Sequence, residues 1–413
     1  MKRRIEDAAK EEVAEGLVLL EEWVAQNSFT RNREGVNRHG EQIWSAFRPL
    51  GFERHAVAAQ EIDHGDHLLL TRRGTGAKQI ALVAHLDTVY PPDEEKKYDF
   101  AWRDEGGRIY GPGVADIKGG NMLMLATLRL LSRIAPLNFE KTTWQILLNA
   151  AEEEGCEDFP PLARDVVAGN TIACLIYEHA TRIEGRRGCR LTTSRRGAAR
   201  FKVEAFGRGA HAGSGHAHGA NAIRELARAV EKIEAMTDRS KGLTYNVGRF
   251  TGGMVSNTVP SYAECLVDMR ADETPAFEEG IRQITRLTGP GSVEAYADGH
   301  RCSMRVSELA GYPPWPANEA GRELGLVFRK AGEAFGLRID FEHRLGASDG
   351  NHLWNLAPTI DGLGPVGSHI HCPVHDPENG KEQESIERAS LLDQVLLGVT
   401  ALMNLTGASL REL

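Results

Sequence analysis

The chain has 413 residues, 41% apolar and 26% charged, with a formal net charge of −9 at pH 7. That length exceeds one comfortable core, so two domains are expected, and an acidic balance without long single-sign runs argues against nucleic acid or an anionic membrane as partner. Six scattered cysteines without a Cys-x-x-Cys pair, a basic start with no apolar signal core and no apolar run long enough to span a bilayer together indicate a reduced, cytoplasmic protein.

Residues 5–27 place Val13, Leu17, Leu20, Trp23 and Val24 at helical spacing, and a second helix is expected over 35–49. A short strand over 67–71 and the turn Gly74-Thr75-Gly76 lead into the run from Ile80 to Tyr90. Its first five residues are apolar and partly β-branched, as in a parallel strand buried on both faces. The run ends at His85 and, two residues on, Asp87. Side chains two apart on a strand point the same way, and open α/β sheets bind ligands at the carboxyl ends of their strands. A metal-bound imidazole commonly gives its other N–H to a carboxylate, which is a chemical reason for His-x-Asp here. After a polar stretch over 91–109, Tyr110 to Gly120 packs four glycines and a proline around Asp116. That is a backbone under constraint, opening onto a helix over 121–134.

A second buried strand, Thr142 to Asn149, runs into Glu152-Glu153-Glu154, and a third, Thr171 to Tyr177, ends at Glu178. Three apolar strands thus each deliver charged residues at the carboxyl end. Between 182 and 200 seven arginines and three glycines mark a composition shift and a boundary. Beyond it, strands are expected over 199–206, 243–250, 262–270 and 293–297, with helices over 220–236 and 275–287. That order is β-α-β-β-α-β, the ferredoxin-like split unit. The expected domains are therefore residues 1–194, an insertion over 195–306, and a return over 307–413. The return holds a rigid Gly311 to Pro316 connector, a helix over 319–335, polar loops over 346–352 and 363–372, and a closing helix over 386–405.

Collected, the candidates are His85, Asp87, Asp116, Glu152, Glu153, Glu178 and His371. Two histidines and several carboxylates suit zinc, with manganese or cobalt as alternatives. They suffice for two metals sharing one carboxylate, an arrangement that hydrolyses amides. In a Glu-Glu pair one carboxylate can coordinate while its neighbour takes a proton from the attacking water. His369, His371 and His375 crowd one loop, and any of them could supply the last ligand.

His85-Leu86-Asp87-Thr88-Val89, then Gly111 to Gly120, then Glu152-Glu153-Glu154-Gly155 resemble, in order and spacing, the family of glutamate carboxypeptidase, acetylornithine deacetylase and succinyl-diaminopimelate desuccinylase. The resemblance covers nearly the whole chain. It implies an α/β fold, a zinc-peptidase-like three-layer catalytic domain interrupted by a ferredoxin-like lid that carries a dimer interface. It implies two Zn2+ per chain, with Co2+ or Mn2+ able to substitute. His85 and Glu178 would bind one ion, Glu153 and His371 the other, and Asp116 both. Asp87 would orient His85, and Glu152 would be the general base. Asp116-Ile117 falls where the family has a cis peptide. His211, in Gly209-Ala210-His211-Ala212-Gly213, matches the lid histidine that reaches the partner's site, and Asn257 and Arg270 match substrate-binding positions. Tyr312-Pro313-Pro314 departs from the family pattern, where many relatives have an arginine. The implied protein is a homodimeric amidohydrolase, closest to the glutamate carboxypeptidase branch, that acts on a small peptide or N-acyl amino acid. An N-acyl-amino-acid deacylase is the alternative enzyme. A metal-binding relative without catalysis is the non-enzymatic reading, against which Glu152 stands.

Overall fold

The computed structural model describes residues 2–408. Two compact units are present. The first takes the chain up to Ser194, Ala317–His343 and the chain from Ser348 onward; the second takes Arg195–Pro316 with Arg344–Ala347.

The first unit is built on a six-stranded sheet in the order Glu53–Ala58, Asp66–Arg72, Thr143–Asn149, Gln79–His85, Thr171–Ile176, Thr359–Ile360. Gln79–His85 lies parallel to both neighbours, with His85 opposite Asn149. Ile80, Leu82 and Ala84 join the core formed with Lys2–Ala25, Gly119–Ile134 and Arg388–Thr406. Ala81 and Val83 join Phe159, Ala163 and Val167 of the helix on the other face. The period of two therefore delivers alternate residues to two cores. That is why the strand reads as continuously apolar, and why the unit has three layers.

Gly119–Ile134 buries twelve of its sixteen residues, so it sits inside the unit and holds its leading loop firmly. Arg388–Thr406 amends one expectation. Its 19 residues are long and apolar enough to cross a bilayer. They are used in the core instead, where Leu391, Val395, Leu396, Leu397, Leu402 and Met403 are at most 1% exposed. A smaller sheet in the order Gly367–Ser368, Ser385–Glu387, Arg108–Tyr110, Arg103–Glu105 brings the chain before Ser385 against the constrained turn at 111–116.

The second unit has a five-stranded sheet in the order Thr244–Gly252, Tyr262–Ala271, Gly197–Phe206, Arg301–Tyr312, Gly289–Glu294. Helices Ala222–Ala235 and Thr274–Thr285 pack on one face, on Phe201, Val203, Val267 and Met269. This is the split β-α-β-β-α-β arrangement with one change. The closing strand is Arg301–Tyr312, antiparallel to Gly197–Phe206, and Gly289–Glu294 is an extra edge strand. The unit consequently runs to Pro316, past the boundary expected at 306. Cys302 and Met304 alternate inward among exposed Arg301, Ser303 and Arg305, and Ala310 is the one other buried residue of the strand. So sparse a stripe is a weak strand signal in sequence.

Candidate metal centre

His85 ends its strand 1% exposed, and Asp87 is fully buried. His85 Nδ1 lies 3.0 Å from the Asp87 carbonyl oxygen and 3.2 Å from its Oδ1. Both partners accept, so Nδ1 carries the proton. Asp87 also accepts the Thr30 hydroxyl at 2.7 Å and the backbone N–H groups of Glu152 and Glu153 at 3.1 and 3.2 Å. One carboxylate thus ties the end of the first strand to the turn after the second. Asn121, entering its helix, donates to the His85 carbonyl at 2.9 Å.

His85 Nε2 faces Asp116 Oδ1 at 2.9 Å and Glu178 Oε1 at 3.5 Å. His371 Nε2 faces Asp116 Oδ2 at 3.4 Å and Glu153 Oε2 at 3.1 Å. Asp116 therefore presents a different oxygen to each histidine, and the Asp116–Ile117 peptide is cis. His371 has φ +64, a left-handed conformation that a non-glycine residue adopts at a cost, usually at functional positions. Its loop neighbours are placed otherwise. His375 pairs with Glu382 at 2.7 Å, and His369, which like His371 is exposed and has positive φ (+56), makes no ion pair with Asp116 or Glu153 among the described residues.

The electrostatics are those of too many acids for too few bases. Burial opposes charge on His85, but hydrogen bonds to Asp116 and Asp87 outweigh it and hold the imidazole well above its usual value. His371 is likewise desolvated, yet Asp116 and Glu153 push it up to about 11. Burial raises Glu152 well above the carboxylate range, with Asp349, Glu178 and Glu153 adding to it. Burial and the neighbouring Asp116 bring Glu153 to about 7. Imidazole nitrogens aimed at carboxylate oxygens need a proton or a metal cation between them.

The residues fit metal. Glu153 Oε1 is buried and has no hydrogen-bond partner. The ligand atoms of His85, Asp116 and Glu153 lie within 4.8 Å of one another, as do those of Asp116, Glu178 and His179. These groups cross the expected pairing, since His85 falls with Glu153 and Glu178 with His179, and Asp116 is the residue common to both.

The lid candidates sit in the second unit. His211 is exposed, and its Nδ1 accepts the N–H groups of Gly213 and Ser214, both at 3.1 Å. In the neutral ring the proton is then on Nε2. Asn257 is exposed and its carbonyl accepts from Ala212 at 2.9 Å. Arg270 is held by Asp268 through two bonds of 2.7 and 2.9 Å.

Sequence reasoning missed Glu384, His179, Thr30 and Asp349. Thr30 and Asp349 carry no local signal. Glu384 ends a long polar segment, and only its full burial sets it apart. His179 is the exception, being adjacent to Glu178 at the end of a buried strand.

Residues 193–292 match the M20 peptidase dimerisation domain. The chain is 28% identical over 371 residues to carboxypeptidase G2 of Pseudomonas sp. (strain RS-16), covering 88% of this chain and 85% of that one. Succinyl-diaminopimelate desuccinylase of Thioalkalivibrio sulfidiphilus is 24% identical over 87% of this chain and 93% of its own. The fold is also that of aminopeptidase PepT from Bacillus cereus, with TM-score 0.67, 22% identity and coverage of 94% and 98% of the two chains. With a matching domain, near full-length relatives and a common fold, the chain is a homologue of the M20 metallopeptidases and deacylases and, like them, a hydrolase.

Proposed function

We propose that the protein is a two-zinc amidohydrolase that releases a terminal amino acid from a peptide or N-acyl conjugate, in the manner of a glutamate carboxypeptidase. The observation that carries this is Asp116, whose two oxygens serve two different histidines. His85 and Glu178 would hold one ion, Glu153 and His371 the other, with Asp116 between; cobalt or manganese could replace zinc. Two such ions polarise a carbonyl and acidify water. The chain's own residues do the rest. Asp87 keeps the His85 proton on Nδ1. Glu152, partly buried and anchored through its N–H to Asp87, takes the proton of the attacking water on its carboxylate and returns it to the leaving nitrogen. His211 offers an Nε2 donor for the developing oxyanion, acting in the partner's site of a homodimer. Asn257 and Arg270 bind the substrate.

Elemental analysis after saturation with zinc should find about two equivalents per chain. A hydrolysis screen over dipeptides and N-acyl amino acids, run with zinc, cobalt and manganese, then names the substrate class. A protein that holds no metal at saturation overturns the proposal. For His211, subunit exchange between His211→Ala and Glu152→Gln proteins should restore up to about half of the sites in each mixed dimer. Verified exchange without recovery excludes action across the dimer.

A further inference from the structure

We propose that Glu384 is the positioning residue of this centre: its side chain sets the main chain of Asp116 and its backbone ties that turn to the loop of His371. The inference rests on the two-metal reading above. Glu384 is 0% exposed; no lysine or arginine forms a direct ion pair with it among the described residues, and the buried Lys118 acts on it only through space. Its Oε1 accepts the backbone N–H groups of Ala115 at 2.8 Å and Asp116 at 3.1 Å. Its Oε2 accepts the Tyr90 hydroxyl at 2.5 Å. Its own N–H donates to the carbonyl of Cys372 at 2.9 Å, and its carbonyl accepts from Gly111 at 3.4 Å.

One residue therefore touches three of the five stretches that build the centre. Tyr90 follows Asp87 closely in the chain, Asp116 is the shared carboxylate, and Cys372 follows His371. Burying a carboxylate is costly unless its oxygens are satisfied, and here both oxygens are satisfied by donors that belong to the site. Successive N–H groups aimed at one oxygen form an anion cradle. At Asp116 the cradle has a specific consequence. The residue leaves helical geometry, with φ −124 and ψ 85, so the direction of its carboxylate depends on how its main chain is held. A small rotation would take one oxygen away from His85 or the other from His371.

Two substitutions separate position from charge. Glu384→Gln keeps an oxygen for the two N–H groups and turns its NH2 to the Tyr90 oxygen, losing only the charge. Glu384→Asp keeps the charge but is one methylene short of serving both the turn and Tyr90. The full-length, metal-free proteins are titrated with cobalt and followed by calorimetry and visible absorption. Glu384→Gln should stay near wild type. Glu384→Asp should lose on the order of tenfold or more in affinity, as removal of a ligand's support typically does, with altered cobalt bands. Tyr90→Phe removes one of the three donors, weakens binding in the same direction by a smaller factor, and carries the test should Glu384→Asp not fold. The reverse order, with the aspartate variant near wild type and the glutamine variant weak, would mean that charge matters and position does not. Wild-type affinity and spectrum in all three variants overturn the proposal. A wild-type protein that binds no cobalt instead sinks the two-metal reading itself.

Discussion

Glu204 in the second unit and Glu153 in the first are both buried carboxylates with opposite surroundings. Glu204, 4% exposed, meets Arg305 at 2.8 Å, Lys202 at 3.4 Å and the Tyr262 hydroxyl at 2.8 Å. In the same unit, Glu225 accepts the N–H groups of Ser292 and Val293 at 2.8 and 2.6 Å. Around Glu153 there are Asp116, Glu152 and two imidazoles, and one of its oxygens has no partner. Like charges at close range cost stability. A fold keeps such a cluster when a cation enters it. Burial of acids alone is thus uninformative, and the balance of their partners separates a structural network from a ligand site.

The sharpest test of that contrast lies inside the Glu-Glu pair. Glu152→Gln should retain both metals and the fold while turnover falls by several orders of magnitude, because only the proton acceptor is lost. Glu153→Gln should instead release one metal. Metal content and kcat measured on the same preparations decide it, and the opposite pattern would reverse the two roles.

A smaller loss is expected one step out. Asp87 contacts His85 Nδ1, the Thr30 hydroxyl and the N–H groups of Glu152 and Glu153. Asp87→Asn turns an acceptor into a donor against those donors, so metal affinity should fall about 10- to 100-fold. Unchanged zinc affinity would show that the His85 tautomer is set without it.

The first unit's strands could be read from sequence because both of their faces are buried, so Ile80–Ala84 announces itself. His85, Asp87 and Glu178 follow from where those strands stop. The closing strand of the second unit could not be read in the same way, because Arg301–Tyr312 buries few apolar side chains and alternates with charge. Glu384 was hidden for another reason. Its role comes from pairing of Ser385–Glu387 with Arg108–Tyr110, two segments remote in sequence, which no local pattern encodes.

In the compensated network the effect should appear only in acid. A hydrogen bond to Arg305 outweighs burial and, with Tyr262 and Lys202, takes Glu204 down to about 2 from an ordinary 4.5. A pKa depressed by folding contributes stability that is present above the unfolded value and lost as pH falls toward the folded one. Unfolding midpoints should therefore fall more steeply for wild type than for Glu204→Gln between about pH 4.5 and 2. The difference is modest, since Arg305 is 59% exposed and solvent screens the pair. Parallel curves would mean that the network contributes nothing.

The smallest effect is expected at a cluster that resembles a metal site by residue type. The ligand atoms of His67, Cys156 and Asp158 lie within 4.8 Å of one another. Their hydrogen bonds argue against a metal. His67 Nδ1 accepts the N–H of Ala150 at 3.1 Å, so the neutral ring keeps its proton on Nε2, 3.3 Å from Asp158 Oδ1. That nitrogen has no lone pair to give. The Cys156 thiol donates to Asn149 Oδ1 at 3.2 Å, and burial holds it far above its usual pKa, whereas a metal requires the thiolate. Asp158 also accepts the N–H of Gln60 at 2.7 Å. Every member is thus engaged in holding Ala150 and its surroundings, just before the Glu152–Glu153 turn. Cys156→Ala should leave zinc at about two equivalents and cobalt bands free of thiolate charge transfer. Loss of a metal equivalent in Cys156→Ala, or thiolate-to-cobalt absorption in the wild type, would place a third ion here and break the rule that compensated clusters stay structural.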